Sequence, residues 1–191
     1  MQDALRYGLA FLIGAIPFSQ LAMLGTGINL LESGSRNPGF NNVLRVGGGR
    51  GRAAFALIGD LFKGFVALWF LASPGDPVWM PWVLGLLAMV GHCWTPLLRF
   101  RGGKGVATMA GVMLFLDWKL ALVGLILYPT LRWLGRRQGW KQEGAISSLT
   151  CTLMVTAAIY ALRGPQIGHL CAILMAIIVI RHWSNLREIF E

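Results

Sequence analysis

Apolar positions gather into seven stretches, roughly residues 4–25, 53–72, 78–98, 105–116, 119–134, 144–162 and 165–181, parted by short polar or glycine-rich breaks. A helix needs about 20 apolar residues to cross a bilayer, and the first three stretches and the sixth have them. Residues 105–134 read as two helices of about 15 residues, near 22 Å each at about 1.5 Å per residue. That is short of the hydrocarbon core of about 30 Å.

The charges set the number of crossings. Arg36, Arg45, Arg50 and Arg52 fall in the first break, and Arg99, Arg101 and Lys104 in the third. Arg132, Arg136, Arg137 and Lys141 surround the fifth, while Arg181 and Arg187 follow the last stretch. The alternate breaks are almost bare: "SPGDP" has no lysine or arginine, "DWK" has Lys119 and "RGPQ" has Arg163. Seven crossings put every basic loop on one side, and the positive-inside rule makes that side cytoplasmic. Counting 105–134 as one crossing would split the basic loops between the two faces. The expected fold is an all-α integral membrane protein of seven transmembrane helices, two of them short, with the N-terminus out and the C-terminus in.

Composition agrees with a chain solvated by lipid. Of 191 residues, 55% are hydrophobic and only 13% charged, against about a quarter charged in soluble domains. The 25 glycines and 8 tryptophans suit helices in close contact and indoles at headgroup level. The net charge of +9 has its origin in topology, so "GGGRGR" (Gly47 to Arg52) does not point to nucleic acid. No linker divides the chain, and one domain over residues 1–191 is expected. Cys93, Cys151 and Cys171 form no CxxC pair and read as small packing residues, not disulfide or zinc ligands. No cleavage site follows a basic segment in residues 1–25, which read as a retained span. Asp60 and Lys63, three apart in "GDLFKGF", share a helix face inside the second span. Intramembrane charges are functional candidates, but mutual neutralisation that orients the helix is the favoured reading.

The polar residues converge on the basic face. "ESGSRNPGFNNVLRVGGGRGR", Glu32 to Arg52, can turn back and present backbone N–H groups, amides and guanidinium groups to an anion. "RFRGGKGVATMAG", Arg99 to Gly111, sets Gly102, Gly103 and Lys104 before a helix start, where free N–H groups and the positive helix end favour phosphate. The spacing is not that of a Walker A loop. The tail "IRHWSNLREIFE" adds His182 and Asn185, three apart and so on one face of a continuing helix. The ligand such a basin suits carries a phosphate and, at some stage, an acyl chain.

"GSRNPGFNNVLR", "GHCWTPLLRFRGGKGVAT" and "RHWSNL" resemble, in order and spacing, the signature segments of the bacterial acyl-phosphate-dependent glycerol-3-phosphate acyltransferases, the PlsY family. The resemblance implies a seven-helix enzyme of the cytoplasmic membrane with its site at the cytoplasmic face. It implies acyl transfer from acyl phosphate to the sn-1 hydroxyl of glycerol 3-phosphate, giving lysophosphatidic acid and phosphate, the first step of phospholipid synthesis. No metal, cofactor or coenzyme A takes part. The family's functional positions fall on Ser35, Arg45, His182 and Asn185 for catalysis. Asn42, His92, Gly102, Gly103 and Lys104 fall where substrate or phosphate is bound. The expected partners are the two substrates and membrane lipid, and the expected state is a monomer.

Phe40 and Asn41 stand where the family has small residues and threonine, Gln142 replaces a serine, and Glu191 has no sure counterpart. An acyl phosphate is a mixed anhydride, so the enzyme must hold two anions together, orient a hydroxyl and stabilise developing charge. Either His182 or a substrate phosphate can take the hydroxyl proton. Two other classes stay open at this point. A transporter would suit the Asp60–Lys63 pair, although the halves show no repeat of the glycine-rich loops. A non-catalytic lipid-binding protein would suit the departures.

Overall fold

The protein is described by a computed structural model over residues 2–191, without the side chain of Phe190. All regular structure among these residues is helical: α1 (Gln2–Ala15), α2 (Phe18–Ala22), α3 (Phe40–Arg45), α4 (Gly49–Leu71), α5 (Met80–Cys93), a 3₁₀ turn (Pro96–Leu98), α6 (Val106–Leu116), α7 (Trp118–Arg137), α8 (Glu143–Arg163), α9 (Pro165–Arg181) and α10 (Trp183–Phe190). Four segments are long and apolar enough to cross a membrane: Gln2–Ala22, Gly49–Leu71, Met80–Leu98 and Glu143–Arg163. The pair α9 and α10, bent by 60°, makes a fifth. The short helix expected after residue 105 is α6, with 11 residues. Its partner is longer than expected, because α7 continues through Pro129 to Arg137 for 20 residues.

The chain divides into two compact units, residues 1–112 and 113–191. In the first unit, α1 and α5 touch backbone to backbone. A Cβ on Gly14 would lie 2.0 Å from the Ala88 carbonyl oxygen, and one on Gly91 would lie 2.1 Å from that of Phe11. Small residues permit this approach where lipid provides little hydrophobic drive for helix association. Between α1 and α2 the first span is broken at Ile16–Pro17, since proline has no N–H to continue the ladder. Two carbonyls next to the break are taken by distant side chains. Thr95 Oγ1 donates to Ala15 at 2.7 Å, and Lys63 Nζ donates to Ile16 at 2.8 Å.

Outside the spans, Asp76 accepts two hydrogen bonds from Arg6, one of them at 2.9 Å from Nη1. The guanidinium holds its carboxyl below the usual carboxylate range. In the second unit, Asp117 caps α7 by accepting from the Leu120 N–H at 3.3 Å. The same carboxylate accepts from Arg163 at 2.7 and 2.9 Å, tying the start of α7 to the end of α8. Cys93, Cys151 and Cys171 are free thiols, all buried.

Candidate active site

The first polar loop is shaped by Asn42, which is fully buried at the start of α3. Its Oδ1 accepts the Ser35 N–H at 2.8 Å, and its amide nitrogen donates to the carbonyls of Leu30 at 3.2 Å and Ser33 at 3.0 Å. Both amide hydrogens are thereby taken by the loop, and the lone pair left on Oδ1 would repel an anion. Asn42 bends the chain so that Ser35 and Arg45 stay exposed. Phe40 and Asn41, where the sequence departs from the family pattern, form the first turn of α3.

The glycine loop is built against the end of α5. Gly102 N–H donates to the Cys93 carbonyl at 3.1 Å, and Gly103 N–H to that of His92 at 3.2 Å. The fit excludes larger residues. A Cβ on Gly102 would lie 2.0 Å from the His92 carbonyl oxygen, and one on Gly103 would lie 2.2 Å from His92 Nε2. These two N–H groups therefore fold the loop. Gly105 accepts the first bond of α6, from Met109 at 2.7 Å. The N–H groups of Val106, Ala107 and Thr108 precede that bond, and these are the donors a helix N-terminus offers to an anion. Lys104 precedes them, with Gly105 between.

Beneath the loop lies a cluster of charges in the middle of α4. Asp60 and Lys63 are 4% and 3% exposed. Lys63 Nζ lies 2.9 Å from Asp60 Oδ1, and Ser19 Oγ donates to Oδ2 at 3.3 Å. His92 Nδ1 approaches Oδ1 at 3.5 Å, so the imidazole is wedged between a carboxylate and the glycine loop. The expected neutralisation is present, but the pair does more than neutralise itself. It reaches the break of the first span through Ile16 and the loop through His92. Ser19, Asp60, Lys63, His92, Gly102 and Gly103 help line a void of about 10 Å³, about the space one water occupies.

In the second unit, His182 and Asn185 do not sit on one continuing helix, as their spacing alone implied. The chain turns by 60° between α9 and α10, and His182 is the residue at the bend. It is 2% exposed, and its Nδ1 lies 2.8 Å from the Ile178 carbonyl oxygen. A carbonyl only accepts, so Nδ1 carries a proton and donates it there. Asn185, on α10, donates to Gln142 Oε1 at 2.8 Å, and Gln142 also donates to Glu188. Gln142 precedes α8 in a left-handed backbone conformation, φ 54°. Sequence reasoning marked Gln142 only as a lost serine, and nothing in the spacing of residues 142, 185 and 188 announces their contact.

Comparison with known proteins gives the family. The family model described as glycerol-3-phosphate acyltransferase matches residues 4–191. A glycerol-3-phosphate acyltransferase of Mesorhizobium japonicum is 35% identical over 189 residues, covering 97% of this chain and 90% of the relative. One from Symbiobacterium thermophilum is 37% identical over 188 residues, covering 95% and 87%. The crystal structure of PlsY, an integral membrane glycerol 3-phosphate acyltransferase, in its glycerol 3-phosphate form superposes with a TM-score of 0.85 at 27% identity, covering 100% of this chain and 92% of that one. Its lysophosphatidic acid form gives 0.84 at 25%, with the same coverage. This chain, with four to five spans long and apolar enough to cross a bilayer among the described residues, is a multi-pass membrane protein and belongs to the glycerol-3-phosphate acyltransferase family.

Proposed function

We propose that this chain transfers an acyl group from an acyl phosphate to the sn-1 hydroxyl of glycerol 3-phosphate, releasing lysophosphatidic acid and inorganic phosphate. The observation that carries this reading is the glycine loop, folded onto the end of α5 so that Lys104 precedes the start of α6, a place that suits a phosphate. The family supplies the rest: relatives named for this acceptor, one of them solved with the acceptor and with the acylated product.

The hydroxyl oxygen attacks the carbonyl carbon of the acyl phosphate. An ester C–O bond forms, the C–O bond to phosphate breaks, and the phosphate leaves with the electron pair. The hydroxyl proton goes to His182 Nε2, or to a phosphate oxygen when the substrate assists. No protein nucleophile is required, because the mixed anhydride is already activated. Binding two anions is the main demand. Arg45 supplies a planar fork for bidentate phosphate binding, and Lys104 supplies a point charge at a helix N-terminus. Ser35 and Asn185 orient the reacting groups, while Asn42, Gly102, Gly103 and His92 hold the loops that carry them. Fixing both reactants can lower the barrier by about 7–11 kcal/mol.

The seven-crossing arrangement belongs to this proposal, as does the placement of the basic loops at the cytoplasmic face of a bacterial inner membrane. One catalytic domain spans residues 1–191 and acts as a monomer. Cysteine labelling in intact cells at position 50 and at position 75 should give opposite results, and outside labelling at position 50 would overturn the topology. For the activity, purified protein should release phosphate from palmitoyl phosphate only when glycerol 3-phosphate is added, with lysophosphatidic acid appearing in equal amount. Phosphate release independent of glycerol 3-phosphate, or none, would reject the reading and favour a transporter or lipid-binding role.

A further inference from the structure

A cavity of about 310 Å³ opens beside the short turn Pro96–Leu98, lined among others by Gln20, Asn29, Glu32, Leu97, Arg99 and Arg101. Its volume lies at the lower end of the range for ligand sites, about 300–1,000 Å³. None of Ser35, Arg45, Lys104, His182 and Asn185 lines it. Its walls come from the ends of two candidate spans, Gln2–Ala22 and Met80–Leu98, which sets it at the level of lipid headgroups. Leu97 in its lining is 67% exposed, and Phe100, next to Arg99 in the chain, is 62% exposed.

The polar groups in this cavity carry both signs and are under-used. Arg101 donates through Nη2 to the Leu31 carbonyl at 3.1 Å, which leaves most of its guanidinium donors to other partners. Arg99 and Glu32 enter no ion pair among the described residues. Gln20 Oε1 is buried and has no donor among those residues. Buried acceptors of this kind are uncommon and call for a partner. Two guanidinium groups suit a phosphate. A carboxylate and a buried amide oxygen suit a cationic N–H donor. A bare phosphate would answer the first pair, face repulsion from Glu32 and leave Gln20 unserved. A trimethylammonium group has no N–H to give Gln20. The set matches a phosphate and a primary ammonium joined by a short link.

We propose that this cavity binds the headgroup of a membrane phospholipid carrying phosphate and a primary ammonium, as in phosphatidylethanolamine. Arg99 and Arg101 hold the phosphate, Glu32 and Gln20 receive the ammonium, and the acyl chains leave over Leu97 and Phe100. The site is separate from acyl transfer, so lipid binding is read without turnover.

The test titrates detergent-purified full-length protein with short-chain phosphatidylethanolamine, phosphatidylcholine and phosphatidylglycerol, and with inorganic phosphate, following the unfolding temperature and native mass spectra. The ethanolamine lipid should bind about tenfold more tightly than the other two, the value of a charge-assisted hydrogen bond. Glu32→Gln and Gln20→Leu should each remove that preference while leaving the glycerol 3-phosphate KM unchanged. Arg99→Gln should weaken all three lipids together and keep their order. Equal binding of the three lipids, displacement of the ethanolamine lipid by inorganic phosphate, or a preference that survives Glu32→Gln and Gln20→Leu would overturn the proposal. Preference for ethanolamine lipid in a protein without acyl transfer would sink the enzymatic reading alone.

Discussion

His92 and His182 are both nearly sealed from solvent, 7% and 2% exposed, and they are held by different chemistry. His92 lies between the Asp60 carboxylate and the glycine loop, within a charged cluster set in the middle of a span. His182 has a backbone carbonyl of its own helix against Nδ1 and stands at a bend. A histidine beside a buried carboxylate and ammonium is committed to an electrostatic framework. One whose Nδ1 donates to a backbone carbonyl presents Nε2 as the nitrogen that would take a proton. The first suits a brace and the second suits a base, although both appear in the sequence only as a histidine near a span end.

The largest expected effect sharpens this division. His182→Ala should lower kcat by about 10²–10⁴-fold if the ring takes the hydroxyl proton, with the protein still folded and extractable in detergent. His182→Gln should not rescue it, since an amide has no basic nitrogen. A kcat within a few-fold of wild type would hand the proton to a substrate phosphate. It would also leave His182 a bend residue, erasing the contrast with His92.

Asp60→Ala attacks the brace. It leaves Lys63 buried with the Ile16 carbonyl as its remaining acceptor, and removing one partner of a buried pair costs about 3–5 kcal/mol. Unfolding temperature should fall and the glycerol 3-phosphate KM should rise, because the ring under Gly103 loses its support. Adding Lys63→Met separates the two roles, since an apolar pair relieves the stranded charge. Stability should return in the double variant while KM stays high. Recovery of both would reduce the cluster to mutual neutralisation.

These residues also mark what could be read from the sequence. The four long spans were legible because apolar runs of the required length leave few other folds, and the 60° bend was not, because His182 and Asn185 fit a straight helix equally well. The Asp60–Lys63 pairing follows from a spacing of three on a helix. Its reach to Ile16 does not, since that acceptor is a backbone carbonyl 47 positions away and backbone carbonyls carry no residue identity. Gly102 and Gly103 were marked as phosphate ligands through the likeness of their segment. Their contacts show why glycine stands there: any Cβ would collide with His92. Asn42 was marked the same way, and its three bonds to backbone groups of the loop have no signature in spacing.

Lys104→Ala probes the cradle that the brace supports. The loss should be about 1.5–3 kcal/mol, the range of a charge-assisted contact, read as a higher KM for one or both substrates. Unlike Asp60→Ala, it should leave the unfolding temperature near wild type, because Lys104 is not part of the buried cluster. Wild-type kinetics in both substrates would return the basic loop to a topology signal.

The smallest effect concerns Gln142 and decides whether the second unit has a brace of its own. Its amide accepts from Asn185 and donates to Glu188, so α10 is tied to the start of α8 by side chains that a serine could not replace at that reach. The Asn185 bond is neutral, and losing it should cost about 0.5–1.5 kcal/mol. Gln142→Ala should therefore lower kcat a few-fold through a less fixed Asn185 while leaving the unfolding temperature almost unchanged. Gln142→Glu gives the sharper reading. It keeps an acceptor for Asn185 but sets a carboxylate against Glu188, so activity should fall at neutral pH and recover with Glu188→Gln. Failure of that rescue would mean that Asn185 is positioned by α10 alone, and that the two histidines differ in their own contacts but not in how their surroundings are braced.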